Sequence, residues 1–248
     1  MVNRIALQET DSTNNYLAAL CEEGELPDFT TVTAEYQTAG KGQRGNSWES
    51  APGANLLFST VIYPRFLAAR QQFVLSQLVS LSIKEALDAY TDQVSIKWPN
   101  DIYCGERKIC GILIENDLQG SHIGRCIVGV GLNVNQEAFY SDAPNPVSLR
   151  QLTGRTHDRN ILLYDILHRM QQIYQKLVAG AESPSTTTSL AARYAASLFR
   201  RTGFHRYADA HGTFLARVVE VEADGRFLLE DESGALRSYL FKEVQYLL

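Results

Sequence analysis

The 248-residue chain has no apolar run approaching 18 residues, so no segment reads as a membrane-spanning helix. Its opening, MVNRIALQETDSTNN, lacks the apolar core of a secretory signal. The four cysteines, Cys21, Cys104, Cys110 and Cys126, form no CxxC and keep no regular spacing. That is the usage of buried reduced thiols and predicts a cytoplasmic protein. Five histidines are scattered without HxxxH or HExxH, so no dedicated zinc site is expected. No internal repeat, low-complexity segment or evident nucleophile–base pair stands out. The net charge of −5 argues against non-specific nucleic-acid binding as a main role. Any cations that matter act locally.

What is present is an ordinary globular mix, 45% hydrophobic and 21% charged, long enough for one large domain or one medium and one small. Residues 12–22 open with capping residues and place Tyr16, Leu17 and Leu20 at helical spacing. Residues 30–36 and 54–63 read as β-branched or apolar strands, the second stopped by Pro64. Residues 70–90 carry the apolar stripe of a long buried helix. Strands are predicted at 94–98, 110–116 and 125–134, a loop with at most a short helix at 136–157, and helices at 160–179 and 187–199. After about residue 203 the turn signals ADGR and ESGA punctuate short apolar runs, a meander of roughly five strands. The division is therefore 1–202 and 203–248.

Three stretches carry chemistry. GKGQRG, residues 40–45, satisfies G-x-G-x-x-G, but Pro52 and Gly53 bar the helix that a dinucleotide fold needs next. It is no Walker loop either, because Gly42 stands where Ser or Thr is required. Lys41, Arg44 and Trp48 still suit a loop that holds an anion beside a stacking face. In IKWPNDIYCGERKICG, Lys97, Asn100, Asp101 and Lys108 gather around the end of a strand, with Gly111 giving backbone clearance. This fits a solvated hairpin as well as a grip on a nucleotide phosphate and its metal. Gly129, Gly131 and Asn133 alternate along one strand face, so something packs closely there, a ligand or a crossing backbone. Ser12, Thr13 and Asn14 at a helix start are more polar groups than one N-cap needs.

Taken together, DSTNNYL, AEYQTAGKGQRGNSW, KWPNDIY, RKICGILIE and GVGLNVN resemble, in this order, the biotin protein ligases, also called biotin–[acetyl-CoA carboxylase] ligases. The resemblance implies an α+β catalytic domain, a mixed β-sheet flanked by helices, followed by an SH3-like β-barrel. It implies activation of biotin with MgATP to biotinoyl-5′-AMP and transfer to a lysine of a biotin carboxyl carrier protein. It assigns Ser12, Thr13, Asn14, Gln37, Gly40, Lys41, Gly42, Gln43, Lys108 and Gly111 to biotin, with Lys41, Gln43 and Lys108 around its carboxylate and the phosphate, and the catalytic role falls to Lys108, Lys41 and Arg44. Trp48, Lys97, Asn100, Asp101 and Asn133 fall to ATP, with Mg2+ entering beside it near Asp101. The family loop usually has arginine at the positions of Lys41 and Gln43, so Arg44 together with Lys41 is expected to retain the adenylate. The C-terminal barrel shows no chemistry of its own and is expected to dock the carrier. With eleven residues before Ser12, no DNA-binding domain is expected, and a homodimer is compatible. The alternatives are a lipoate or octanoate–protein ligase of the same superfamily and a non-catalytic biotin-sensing module.

Overall fold

A computed structural model describes residues 3–140, 145–180 and 184–248, apart from the side chains of Arg44 and Pro184. The run LLFSTVI has no polar face, and it forms β3 (Leu56–Ile62), in which every residue is buried. On one side of it lie β2 (Thr31–Gln37) and the edge strand β1 (Arg4–Thr10). On the other lie β7 (His122–Leu132), β6 (Arg107–Gln119), β5 (Asp101–Cys104) and β4 (Val94–Lys97). The seven-stranded sheet runs β1-β2-β3-β7-β6-β5-β4, with β1 parallel to β2 and the other pairs antiparallel. This is the mixed sheet with flanking helices that the resemblance implied.

Alternation assigns the two faces. Odd-numbered Val61 and Ile127 pack with Val32 against Leu17 of α1 (Thr13–Glu23). Even-numbered Leu56, Phe58, Val128, Val130 and Leu132 enter the main core beneath α2 (Phe73–Leu87), α4 (Arg159–Ala179) and α5 (Pro184–Ala196). The short α3 (Leu149–Thr153) is the one helix among the described residues of the 136–157 connection. No helix among the described residues is long and apolar enough to cross a membrane.

The C-terminal segment forms a separate five-stranded antiparallel sheet, β8 (His205–Asp209), β9 (Gly212–Val221), β10 (Phe227–Asp231), β11 (Leu236–Tyr239) and β12 (Gln245–Tyr246), ordered β11-β10-β9-β8-β12. Gly225 and Gly234 supply the left-handed turn positions in ADGR and ESGA, with φ of +94° and +83°. Trp98 joins the two sheets. Its ring stacks on Phe227 at 4.9 Å, and its indole N–H donates to the Gly225 carbonyl at 3.0 Å. Arg201 donates to the Val218 carbonyl at 3.1 Å and Arg200 to that of Leu247 at 2.9 Å.

Candidate active site

One row of cross-strand neighbours carries most of the site. Leu57 pairs with Gly131, Gly131 with Gly111, Gly111 with Asp101, and Asp101 with Lys97. Paired residues share a face, so all of these look toward the α1 side. Strict alternation from Gly111 would send Lys108 to the opposite face. The register instead shifts between Ile102 and Tyr103, so that Tyr103 pairs with Lys108. This bulge turns Lys108 onto the Asp101 face. Its ammonium meets Asp101 Oδ1 at 2.7 Å. The backbone of Lys108 is held on its free side by residues 145–147, through bonds of 3.0 Å to the Asn145 carbonyl and 2.9 Å from the Val147 N–H.

A cavity of about 610 Å³ opens on this face, a size suited to a small-molecule ligand. Ser12, Thr13, Asn14 and Gln37 line one end. Ser12 holds the N-cap position of α1, yet its hydroxyl makes no capping bond. Gln37 takes over that work, its Oε1 accepting from the Thr13 N–H at 2.8 Å and the Thr13 hydroxyl at 3.0 Å. Its Nε2 is left beside Gly40. Asn14 donates to Glu115 Oε2 at 2.6 Å, and the buried Ser59 hydroxyl lies within bonding distance of Asn14 Oδ1 and, at 2.7 Å, of Thr13 Oγ1. Sequence reasoning missed Ser59 and Glu115. Glu115 was within reach, standing two alternations from Gly111 on the same strand face.

Gly129 and Gly131 of β7 are cleared for side chains, not for a crossing backbone. A Cβ at Gly129 would lie 2.1 Å from Asn14 Oδ1, and one at Gly131 2.4 Å from Trp48 Cε2. The Trp48 indole therefore covers the bare backbone of Gly111 and Gly131. Its Nε1 is buried without a partner, and the Lys108 ammonium lies 5.8 Å from the ring centre. The glycine loop that delivers Trp48 is closed by Gly42 N–H to Asn46 O at 2.7 Å and Trp48 N–H to Gly40 O at 2.9 Å. Between them Gln43–Gly45 form a single 3-10 turn. Lys41, Gly42 and Gln43 line the cavity, and the Lys41 ammonium donates to Asn15 Oδ1. Gly40 lies behind the lining, and the Arg44 side chain is outside the described residues.

Lys97, Asn100, Asp101 and Lys108 form the other end. Burial pulls the Lys97 ammonium below the ordinary lysine value, against the opposing pull of Asp101. Asn100 donates to the Ile112 carbonyl. Asn133 is buried but does not line the cavity. Its backbone ties β6 to α3, through bonds of 2.9 Å to Ile109 O and 3.0 Å from Leu149 N–H, while its Oδ1 is buried without a partner. The C-terminal segment, read from sequence as lacking chemistry, contributes Phe241, Lys242 and Val244 from the β11–β12 connection and Gln245 and Tyr246 of β12 to the wall. Nothing in their local sequence signals this, because the docking of the two sheets creates it. Among the described residues no three His, Cys, Asp or Glu side chains converge to hold a metal, and Asp101 is the sole carboxylate of the lining. That donor set fits a cation carried in on phosphates, as magnesium usually is, rather than an all-protein cage.

The model of the biotin/lipoate A/B protein ligase family matches residues 6–133, which span every site position expected from the sequence. The biotin–[acetyl-CoA-carboxylase] ligase of Paracoccus denitrificans is 30% identical over 92% of this chain and 94% of its own length. The bifunctional ligase/repressor BirA of Bacillus subtilis is 30% identical over 94% of this chain and 70% of its own. The structure of biotin protein ligase from Aquifex aeolicus in complex with biotin and ATP aligns with a TM-score of 0.80 at 27% identity, covering 100% of both chains. With the family model matching over half of the chain and a relative of 30% identity matching along nearly its whole length, the chain belongs to the biotin/lipoate A/B protein ligase family.

Proposed function

We propose that the protein is an ATP-dependent biotin ligase that forms biotinoyl-5′-AMP and transfers biotin to a lysine of a carboxyl carrier domain, such as that of acetyl-CoA carboxylase. The observation that carries this is the continuity of one cavity from a fixed hydrogen-bonding cluster, past Lys41 and Trp48, to Lys97 and Lys108. Four free thiols suit the reducing cytoplasm as its place of work.

In this reading Ser12, Thr13, Asn14 and Gln37 meet the ureido ring. Ser59 and Glu115 orient Thr13 and Asn14, and Thr13 in turn fixes Gln37, before any ligand arrives, so little ordering is left to binding. The biotin carboxylate then attacks the α-phosphorus, the bond to the β-phosphate oxygen breaks, and pyrophosphate leaves. Both reactants are anions, and Lys108, Lys97 and Lys41 supply positive charge where negative charge builds. Asp101 holds Lys108 in place meanwhile. Asp101 is also the residue that would hold magnesium brought in on the phosphates, where the ion neutralises phosphate charge. Trp48 offers a face to adenine. In the second step the carrier lysine's neutral amine attacks the acyl carbon, AMP departs with the C–O bond electrons, and the amine's proton passes to solvent. AMP is a good leaving group, so this step needs mainly positioning.

Incubation with biotin, MgATP and a biotin carboxyl carrier domain should give an avidin-reactive band that requires ATP. Preferential transfer of lipoate or octanoate, or biotin binding without pyrophosphate release, would overturn the reading.

A further inference from the structure

Lys97 is a cation without a counter-ion among the described residues. Asp101, its cross-strand neighbour, is engaged by Lys108 at 2.7 Å instead. What faces the Lys97 ammonium is a pair of rings, with centres 5.0 Å away in Tyr103 and 5.1 Å away in Tyr246. Tyr103 belongs to β5 of the large sheet, and Tyr246 to β12 of the C-terminal one. The Tyr246 ring is itself clamped by Tyr207, Phe199 and Phe227, at centroid separations of 5.1, 5.8 and 5.9 Å. Its hydroxyl is buried without a partner, so it is the ring face that serves. Both Lys97 and Tyr246 line the cavity.

We infer that Tyr246 is a positioning residue, whose ring face holds the Lys97 ammonium toward the cationic end of the cavity and so makes the C-terminal sheet part of the adenylate-forming site. The inference rests on the ligase reading, since the anion that Lys97 awaits is then a nucleotide phosphate. An ammonium is drawn to a ring face by the ring quadrupole, and most strongly where water is excluded. Burial lowers the ordinary affinity of Lys97 for its proton, which is the condition in which such a face has most effect. A role in packing alone would make no distinction between backgrounds with and without the Lys97 charge.

The test uses the full chain carrying Tyr246→Leu or Tyr246→Phe, each alone and combined with Lys97→Met. Biotin-dependent pyrophosphate release gives kcat and KM for ATP, and calorimetry gives Kd for biotin alone and for a non-hydrolysable ATP analogue. Tyr246→Leu should lower kcat/KM for ATP and weaken the analogue about tenfold, while biotin binding shifts less than about twofold. Tyr246→Phe, which keeps the ring, should stay within about twofold of wild type. In the Lys97→Met background Tyr246→Leu should cost no more than about twofold. Full activity of Tyr246→Leu, or the same loss in both backgrounds, overturns the inference. If Tyr246→Leu loosens the sheet, stepwise fluorination of a phenylalanine placed at 246 keeps the shape and drains the quadrupole. A flat series then overturns the inference, and a falling one upholds it. A wild-type chain that releases no pyrophosphate with biotin overturns the ligase reading as well, whereas an active wild type confines any failure to Tyr246.

Discussion

Lys108 reaches the cavity because one residue, Ile109, is left unmatched between β5 and β6. The sequence shows Lys108 as a cation leading into a strand, but a period of two assigns it the wrong face. A bulge leaves no compositional mark here, which is why the residue was legible and its direction was not. Ser59, and the partner that Glu115 holds, were illegible for another reason. Ser59 and Glu115 act on Asn14 and Thr13, across 45 to 101 positions of sequence, and only folding brings such partners together. Lys108→Ala should lose adenylate formation by about 100-fold, on the order of 3 kcal/mol for one contact to developing charge. Lys108 and Asp101 are each about three-quarters buried, with side-chain exposures of 25% and 23%, so Asp101 can regain water and the fold should survive. Pyrophosphate release within a few-fold of wild type, with an unchanged unfolding transition, would remove Lys108 from the reaction.

At the scale of one element, β7 presents two bare positions that face different ends of the same cavity. Gly129 makes room for Asn14, and Gly131 makes room for Trp48. Gly129→Ala would push an atom into Asn14 Oδ1 at the start of α1, so it should weaken biotin far more than ATP. Gly131→Ala must displace the indole, so it should weaken ATP far more than biotin. A stacked base contributes about 1–3 kcal/mol, and loss of that contact sets the size of the second effect. Calorimetric titration of each variant with each ligand reads both, and equal losses for the two ligands would reject this division of the strand. Elements were legible where one signal dominated. β3 has no polar face, and α4 shows a clean helical stripe opened by Asp158, whose carboxylate accepts from the Asn160 N–H at 2.7 Å. β1 was missed because RIALQET is half polar, as an edge strand is when one side of it meets water. β5 was missed because its four residues, Asp101–Cys104, begin on turn-like chemistry, and its strand character comes from pairing with both neighbours.

At the scale of the whole molecule, the run of short C-terminal strands was legible from turn spacing, but their share in the cavity was not. That share depends on Trp98 meeting Phe227, a contact between residues far apart in sequence. The stability of the C-terminal sheet therefore bears on the site, and Asp231 makes that stability depend on pH. Its carboxylate accepts from the Ser233 hydroxyl, from the Ser233 and Ala235 N–H groups at 2.9 and 3.1 Å, and from the Arg237 guanidinium at 2.9 Å. The Ser233 hydroxyl first, and Arg237 next, hold its pKa down to about 2, against 3.8 for an unperturbed aspartate. The folded state thus binds fewer protons than the unfolded chain between these values. The stabilisation is complete above about pH 4 and is lost as the pH falls toward 2. Asp231→Asn keeps an acceptor but not the charge, so it should be less stable at pH 6 and should lack this acid-dependent part. With Trp48→Phe as background, Trp98 is the remaining tryptophan, and its fluorescence reports the joint between the sheets. Urea midpoints followed by that signal should differ between Asp231 and Asp231→Asn chains at pH 6, and the gap should close as the pH approaches 2. A gap that stays constant across that range would mean that the Asp231 carboxylate is not what ties the C-terminal sheet to pH.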